Sequence, residues 1–107
     1  TFHLGENYFA SLPASIGNLV NLKELNLDVN KLTSLPASIG NLKNLIHLNL
    51  DGNELISLPE TFFQLTGLQT LDLRDNYFVS LPENFKEFFK RLRAKGCTIY
   101  GIDHLLE

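Results

Sequence analysis

Asn7, Asn30, Asn53 and Asn76 fall in one column of this sequence and Pro13, Pro36, Pro59 and Pro82 in another, each spaced by 23 residues. The fullest copy of the pattern runs from Leu22 to Pro36. It returns as Leu45 to Pro59 and Leu68 to Pro82, and a shortened copy opens the chain from Phe2 to Pro13. A fixed period of this length argues against one irregular core. It calls for a stack of like units, each burying its apolar side against its neighbours.

Within a unit, Leu25 and Leu27 alternate with Glu24, Asn26 and Asp28. That is strand spacing, with one face buried and one open. Leu32 and Leu35 turn inward again. Pro36 carries no amide hydrogen and fixes its own φ, which suits the start of a helical turn and not a strand ladder. Ile39, Leu42 and Leu45 then follow at intervals of three, a helical or 3₁₀ spacing. Each unit therefore reads as a short strand, a turn and a short helical return. Gly17 and Gly40 in the first two returns are read as permitting a tight, irregular turn. In the third return Phe62 takes the isoleucine column and Phe63 the glycine position, half exposed on the convex side.

The asparagine column is expected to be buried. A buried amide must be hydrogen-bonded, and Asn offers two donors and an acceptor. Asn7, Asn30, Asn53 and Asn76 are assigned to a ladder that ties neighbouring turns together.

After Pro82 the pattern changes. Phe85, Phe88, Phe89 and Leu92 follow the i, i+3, i+4, i+7 spacing of an amphipathic helix. The spacing predicts a helix over Glu83 to Ala94, closed by Gly96 as a C-cap. Cys97 to Tyr100 reads as a last strand, with Cys97 and Ile99 in the inward columns. Leu71 and Cys97 lie 26 apart, which implies a three-residue insertion and places Thr98 beside Asp72 and Tyr100 beside Arg74. A longer, amphipathic last unit is what the end of a stack requires.

The pattern LxxLxLxxNxLxxLPxxIxxL from Leu22 to Leu42 resembles that of the leucine-rich-repeat proteins, in the 23-residue form of bacterial and Ras-pathway scaffold members. The segments Ser11 to Leu22 and Ser34 to Leu45 are most similar to bacterial members. The resemblance covers Phe2 to Leu81. It implies an α/β fold, a right-handed solenoid or horseshoe. Parallel strands would line the concave face, short 3₁₀ or helical returns the convex face, and a helical cap the C-terminal end. One domain over 1–107 is expected: a partial first repeat at 1–21, repeats at 22–44 and 45–67, a last strand and turn at 68–82, and the cap at 83–107.

Composition narrows the function. The net charge is −3 and 44% of residues are hydrophobic, without the run of roughly 18 apolar residues that a membrane helix needs. No membrane insertion is expected, and location is left open between cytoplasm and secretion. Cys97 is the one cysteine, so no intrachain disulfide can form. His3, His47, His104 and Cys97 lack metal-ligand spacing; His47 and Asp72, placed near one another by register, are read as a surface contact. No phosphate-cradling glycine loop or nucleophile beside a base is present. The chain is read as no enzyme, with no cofactor. Lys86, Lys90, Arg91, Arg93 and Lys95 hold five of the nine basic residues. Glu83 and Glu87 interrupt them, and cations in a last helical turn favour the helix dipole, so no nucleic-acid role is assigned. The chain opens in mid-strand and contains no Met, so it is read as a piece of a longer protein. Its first strand would be an uncapped edge open to self-association.

The open strand face is the expected working surface. Partner-binding positions are Glu24, Asn26, Asp28, His47, Asn49, Asp51, Asp72, Arg74 and Tyr100, an acidic concave strip suited to a protein with a basic surface. Tyr8, Tyr77 and Tyr100 are the candidate aromatic anchors. The resemblance to bacterial members implies host contact, as in a virulence effector. The alternative is a substrate-recognition fragment of a larger effector enzyme such as a ubiquitin ligase.

Overall fold

In the computed structural model, which describes residues 2–7 and 9–106, the leucine columns become a parallel sheet. Its strands are β1 (Phe2–His3), β2 (Glu24–Asn26), β3 (His47–Asn49), β4 (Thr70–Asp72) and β5 (Thr98–Tyr100), paired in sequence order. Leu25, Leu48 and Leu71 stand in register on consecutive strands. With Leu27, Leu50 and Leu73 they are almost wholly buried, which is the alternation that made them strands.

The returns Ala14–Asn18, Ala37–Asn41 and Glu60–Gln64 are 3₁₀ helices, each entered from a proline in extended conformation. Ile39 N–H donates to Pro36 O at 3.0 Å, Leu42 N–H to Ile39 O at 3.1 Å and Leu45 N–H to Leu42 O at 3.1 Å. These are the i to i+3 bonds that the three-residue apolar spacing demands. The fold is an α/β solenoid of parallel strands, short 3₁₀ turns and one C-terminal helix.

Gly17 and Gly40 serve a different purpose from the turn flexibility read in the sequence. Neither has a positive φ. A Cβ on Gly17 would stand 2.6 Å from Ser38 Cβ, and one on Gly40 would stand 2.5 Å from Thr61 O. Adjacent returns approach too closely for a side chain there. The same approach lets Ser38 Oγ donate to Ala14 O at 2.7 Å and Thr61 Oγ1 to Ala37 O at 2.7 Å.

The helix α1 spans Glu83–Ala94 and buries Phe85, Phe88, Phe89 and Leu92. It ends in a Schellman turn: Gly96, at φ +100, donates to Arg93 O at 3.0 Å, and Cys97 N–H donates to Leu92 O at 3.0 Å. The last strand then enters two residues later than the sequence reading placed it. Leu71 pairs with Ile99 and Asp72 with Tyr100, a separation of 28 and hence five residues more than 23. Thr98 accordingly lies beside Thr70. A 12-residue helix and its capping turn consume more chain than a 5-residue 3₁₀ return. Cys97 is still buried, and burial pushes its thiol pKa up.

Candidate interaction face

Residues that alternate with the buried leucines line the open side of the sheet. Register sets two rows there: Glu24, His47, Thr70 and Thr98 in one, and His3, Asn26, Asn49, Asp72 and Tyr100 in the next. The rows enclose a depression of about 300 Å³ lined by side chains of both. Asp28, Asp51 and Arg74 follow two residues on from the second row, where the chain leaves the sheet.

The second row owes its order to one repeated turn. Asn26 Oδ1 accepts Asp28 N–H at 3.0 Å, Asn49 Oδ1 accepts Asp51 N–H at 3.0 Å, and Asp72 Oδ1 accepts Arg74 N–H at 3.1 Å. Side-chain oxygens bonded two residues on are Asx turns. They hold Asn26, Asn49 and Asp72 half-buried against the sheet, and Asp28 and Asp51 are half-buried too. The half-burial of Asp28, Asp51 and Asp72 departs from the fully open face that strand alternation predicts.

The carboxylates differ in their partners. Asp72 binds Arg74 with Nη2 at 2.7 Å from Oδ2 and Nε at 3.0 Å from Oδ1, and that hydrogen bond raises the guanidinium pKa further. Arg74 also lies over the Tyr100 ring, 5.0 Å from its centroid. Asp51 has no such help. Its Oδ1 is buried without a hydrogen-bond partner among the described residues. Burial, then the charges of Asp72, Asp75 and Asp28, push its pKa above the ordinary 3.8, while Arg74 opposes them. His47 does not meet Asp72: it pairs with Thr70 in register, and its Nδ1 shares a hydrogen bond with Thr70 Oγ1 at 2.6 Å. Among the aromatic candidates, Tyr100 borders the depression and Tyr77 is exposed but outside it. Tyr8 lies outside the described residues.

Behind the face, Asn30 Nδ2 donates to Leu4 O at 2.9 Å and Leu27 O at 3.0 Å, and its Oδ1 accepts Phe9 N–H at 3.0 Å. Asn53 Nδ2 reaches Leu27 O at 2.9 Å and Leu50 O at 3.1 Å, and its Oδ1 accepts Leu32 N–H at 3.1 Å. Asn76 Nδ2 reaches Leu50 O at 2.9 Å, and its Oδ1 accepts Leu55 N–H at 3.0 Å. Each of the three spans two units. Asn7 departs from the column: it is exposed, and its side chain donates to Gly5 O, within its own unit, at 3.0 Å. Just before these asparagines, Glu6, Val29, Gly52 and Asp75 all hold positive φ, from +53 to +76. Glycine at 52 was the sequence's one hint of that column.

Among the described residues, no helix is long and apolar enough to cross a membrane, and no cluster of three or more His, Cys, Asp or Glu is placed to hold a metal ion.

A family model described as leucine rich repeat matches residues 1–55 and 21–78. The chain belongs to the leucine-rich-repeat family. Among solved structures it is similar to a leucine-rich-repeat protein of Leptospira interrogans, at 36% identity over 80% of this chain, with a TM-score of 0.60. The chain spans 28% of the length of that protein. No curated protein sequence matches it. Domains of this family generally mediate protein–protein interaction and are typically not enzymes.

Proposed function

We propose that the concave face docks a protein partner through a basic surface. The observation that carries this is the imbalance of charge across the rows. Glu24 and Asp72 line the depression, Asp28 and Asp51 follow two residues on from Asn26 and Asn49, Asp75 adds to the negative charge felt by Asp51, and Arg74 is already committed to Asp72. Asp51 is further destabilised by its neighbours' charges, so an approaching ammonium or guanidinium group relieves strain that the fold leaves in place. The area is small for a stable complex, which calls for roughly 800 Å² per partner; weak, reversible docking fits it. The similarity to the Leptospira interrogans protein supports a bacterial setting and, with it, a role at a contact with host proteins.

Isothermal titration with a lysine-rich peptide tests the charge reading. Glu24→Gln with Asp28→Asn and Asp51→Asn keeps shape and removes charge. The triple variant should bind about tenfold more weakly, three solvent-screened pairs at roughly 0.5 kcal/mol each, and the wild-type affinity should fall with salt. Equal affinity in the two proteins would end the proposal.

A further inference from the structure

The concave face also holds two donors that charge alone leaves unused. Asn26 and Asn49 stand opposite each other in β2 and β3 and line the depression. Each has its Oδ1 tied to a backbone N–H, of Asp28 and Asp51 respectively, at 3.0 Å. Because the oxygen must face that N–H, the amide cannot flip, and its NH₂ is held away from the turn. Neither Nδ2 has a hydrogen-bond partner among the described residues, and neither is a buried orphan, so both stay open to a ligand.

Like side chains in like turns on neighbouring strands place their Nδ2 atoms about one strand spacing apart, roughly 4.8 Å. An oxygen above the midpoint of two such donors sits about 3 Å from each, which is hydrogen-bond distance. A carbonyl oxygen has the two lone pairs this requires. An anionic oxygen would meet the geometry but not the field, since Glu24, Asp28, Asp51 and Asp72 surround the pair. A neutral carbonyl carried on a positively charged chain meets both.

We propose that Asn26 and Asn49 form a two-donor clamp for a main-chain carbonyl oxygen of an extended, lysine- or arginine-bearing polypeptide segment. The clamp rests on the basic-partner reading of the same face and adds what is recognised there: backbone, and not charge alone.

The fold supplies its own control. Asp72 makes the same turn from the same row, so Asn26→Asp and Asn49→Asp keep the turn's acceptor and remove the outward NH₂. Two probes of equal charge separate the effects: an acetylated lysine–glycine octapeptide amide, which has carbonyls, and spermine, which has none. The double variant is two charges more negative. Charge alone therefore predicts tighter binding of both probes, whereas the clamp predicts tighter spermine binding and at least a fivefold loss for the peptide. In wild type, the side-chain NH₂ resonances of Asn26 and Asn49 should shift with the peptide and hold still with spermine, a readout that does not depend on the variant folding. If the variant binds the peptide as well as wild type or better, or the NH₂ resonances ignore it, the clamp is wrong while the acidic face stands. If wild type binds neither probe, both readings fall together.

Discussion

The interior units and the last unit solve the same packing problem with different means. Between β1 and β4 the chain returns through 5-residue 3₁₀ helices. Gly17 and Gly40 let neighbouring returns touch, and asparagine amides carry backbone bonds from one unit to the next. Between β4 and β5 it returns through the 12-residue α1. Phe63 occupies the glycine position, and its ring lies 4.5 Å from Phe85 and 5.2 Å from Phe88. A glycine is needed where the neighbour is backbone; a ring is needed where the neighbour is a helix held off by its own phenylalanines. The edge is treated differently as well. Ile99 O, to which no further strand donates among the described residues, accepts from Arg93 Nη2 at 2.6 Å, and the same nitrogen donates to Asp103 Oδ1 at 2.6 Å. A side chain thereby satisfies the carbonyl that would otherwise invite another strand. An interior unit is shaped by what must fit beside it, and the last unit by what must cover it.

Exchanging the two devices breaks the comparison most sharply. In Gly40→Phe even the first side-chain atom would stand 2.5 Å from Thr61 O, a backbone atom with no rotamer to move aside. Urea denaturation should show a loss of about 3 kcal/mol or more. A loss under about 1 kcal/mol would mean that the returns are not locked together as described.

How much of this the sequence disclosed follows the same division. The strands, the returns and the limits of α1 were legible because each is a period of apolar residues, and burial enforces period. The register of β5 was not. It depends on how many residues α1 and its Schellman turn consume, and Cys97 is apolar enough to pass as the first inward position when Ile99 is the residue opposite Leu71. Glycine at 17 and 40 looked like turn chemistry because close approach leaves no mark in one unit; it is a relation between units. On the concave face, the identities of Asn26, Asp28, Asn49 and Asp51 were plain but their half-burial was not, since the Asx turn that draws them in is a bond between a side chain and a backbone N–H. Val29 at φ +53 and Asp75 at φ +55 adopt a conformation that their residue types do not announce.

A second comparison lies inside the asparagine column and sharpens the first. Asn53 is buried, with its Nδ2 and Oδ1 bonded across two units, whereas Asn7 is exposed and bonds within its own. Asn53→Leu keeps the volume, orphans Leu32 N–H, and leaves Leu27 O and Leu50 O with the bonds from Asn30 and Asn76 alone. It should cost about 2–3 kcal/mol, and Asn7→Leu should change stability by less than about 0.5 kcal/mol. Thermal melts of the pair decide it: similar shifts in both would show that column position, and not the bonds made, sets the cost.

The smallest effect is electrostatic and concerns where the last unit stops helping. At the cap end Asp72 is held by Arg74, which leans on the Tyr100 ring of β5. One strand inward, Asp51 has carboxylate neighbours and a buried oxygen without a donor among the described residues. Its folded pKa is raised above 3.8, so the folded protein binds that proton more tightly than the unfolded chain does. The charged form therefore costs stability above the folded pKa, and the cost fades as pH falls through that value toward the unfolded one. Asp51→Asn should accordingly be more stable than wild type at pH 7, by a few tenths of a kcal/mol once solvent screening is allowed for, and the gap should close as pH approaches 4. Arg74→Gln should widen the gap, because it removes the cation that opposes the rise. A gap that stays constant from pH 7 to 4 would place the benefit in the amide's hydrogen bonding, and the acidic strip would then carry no electrostatic strain for a partner to relieve.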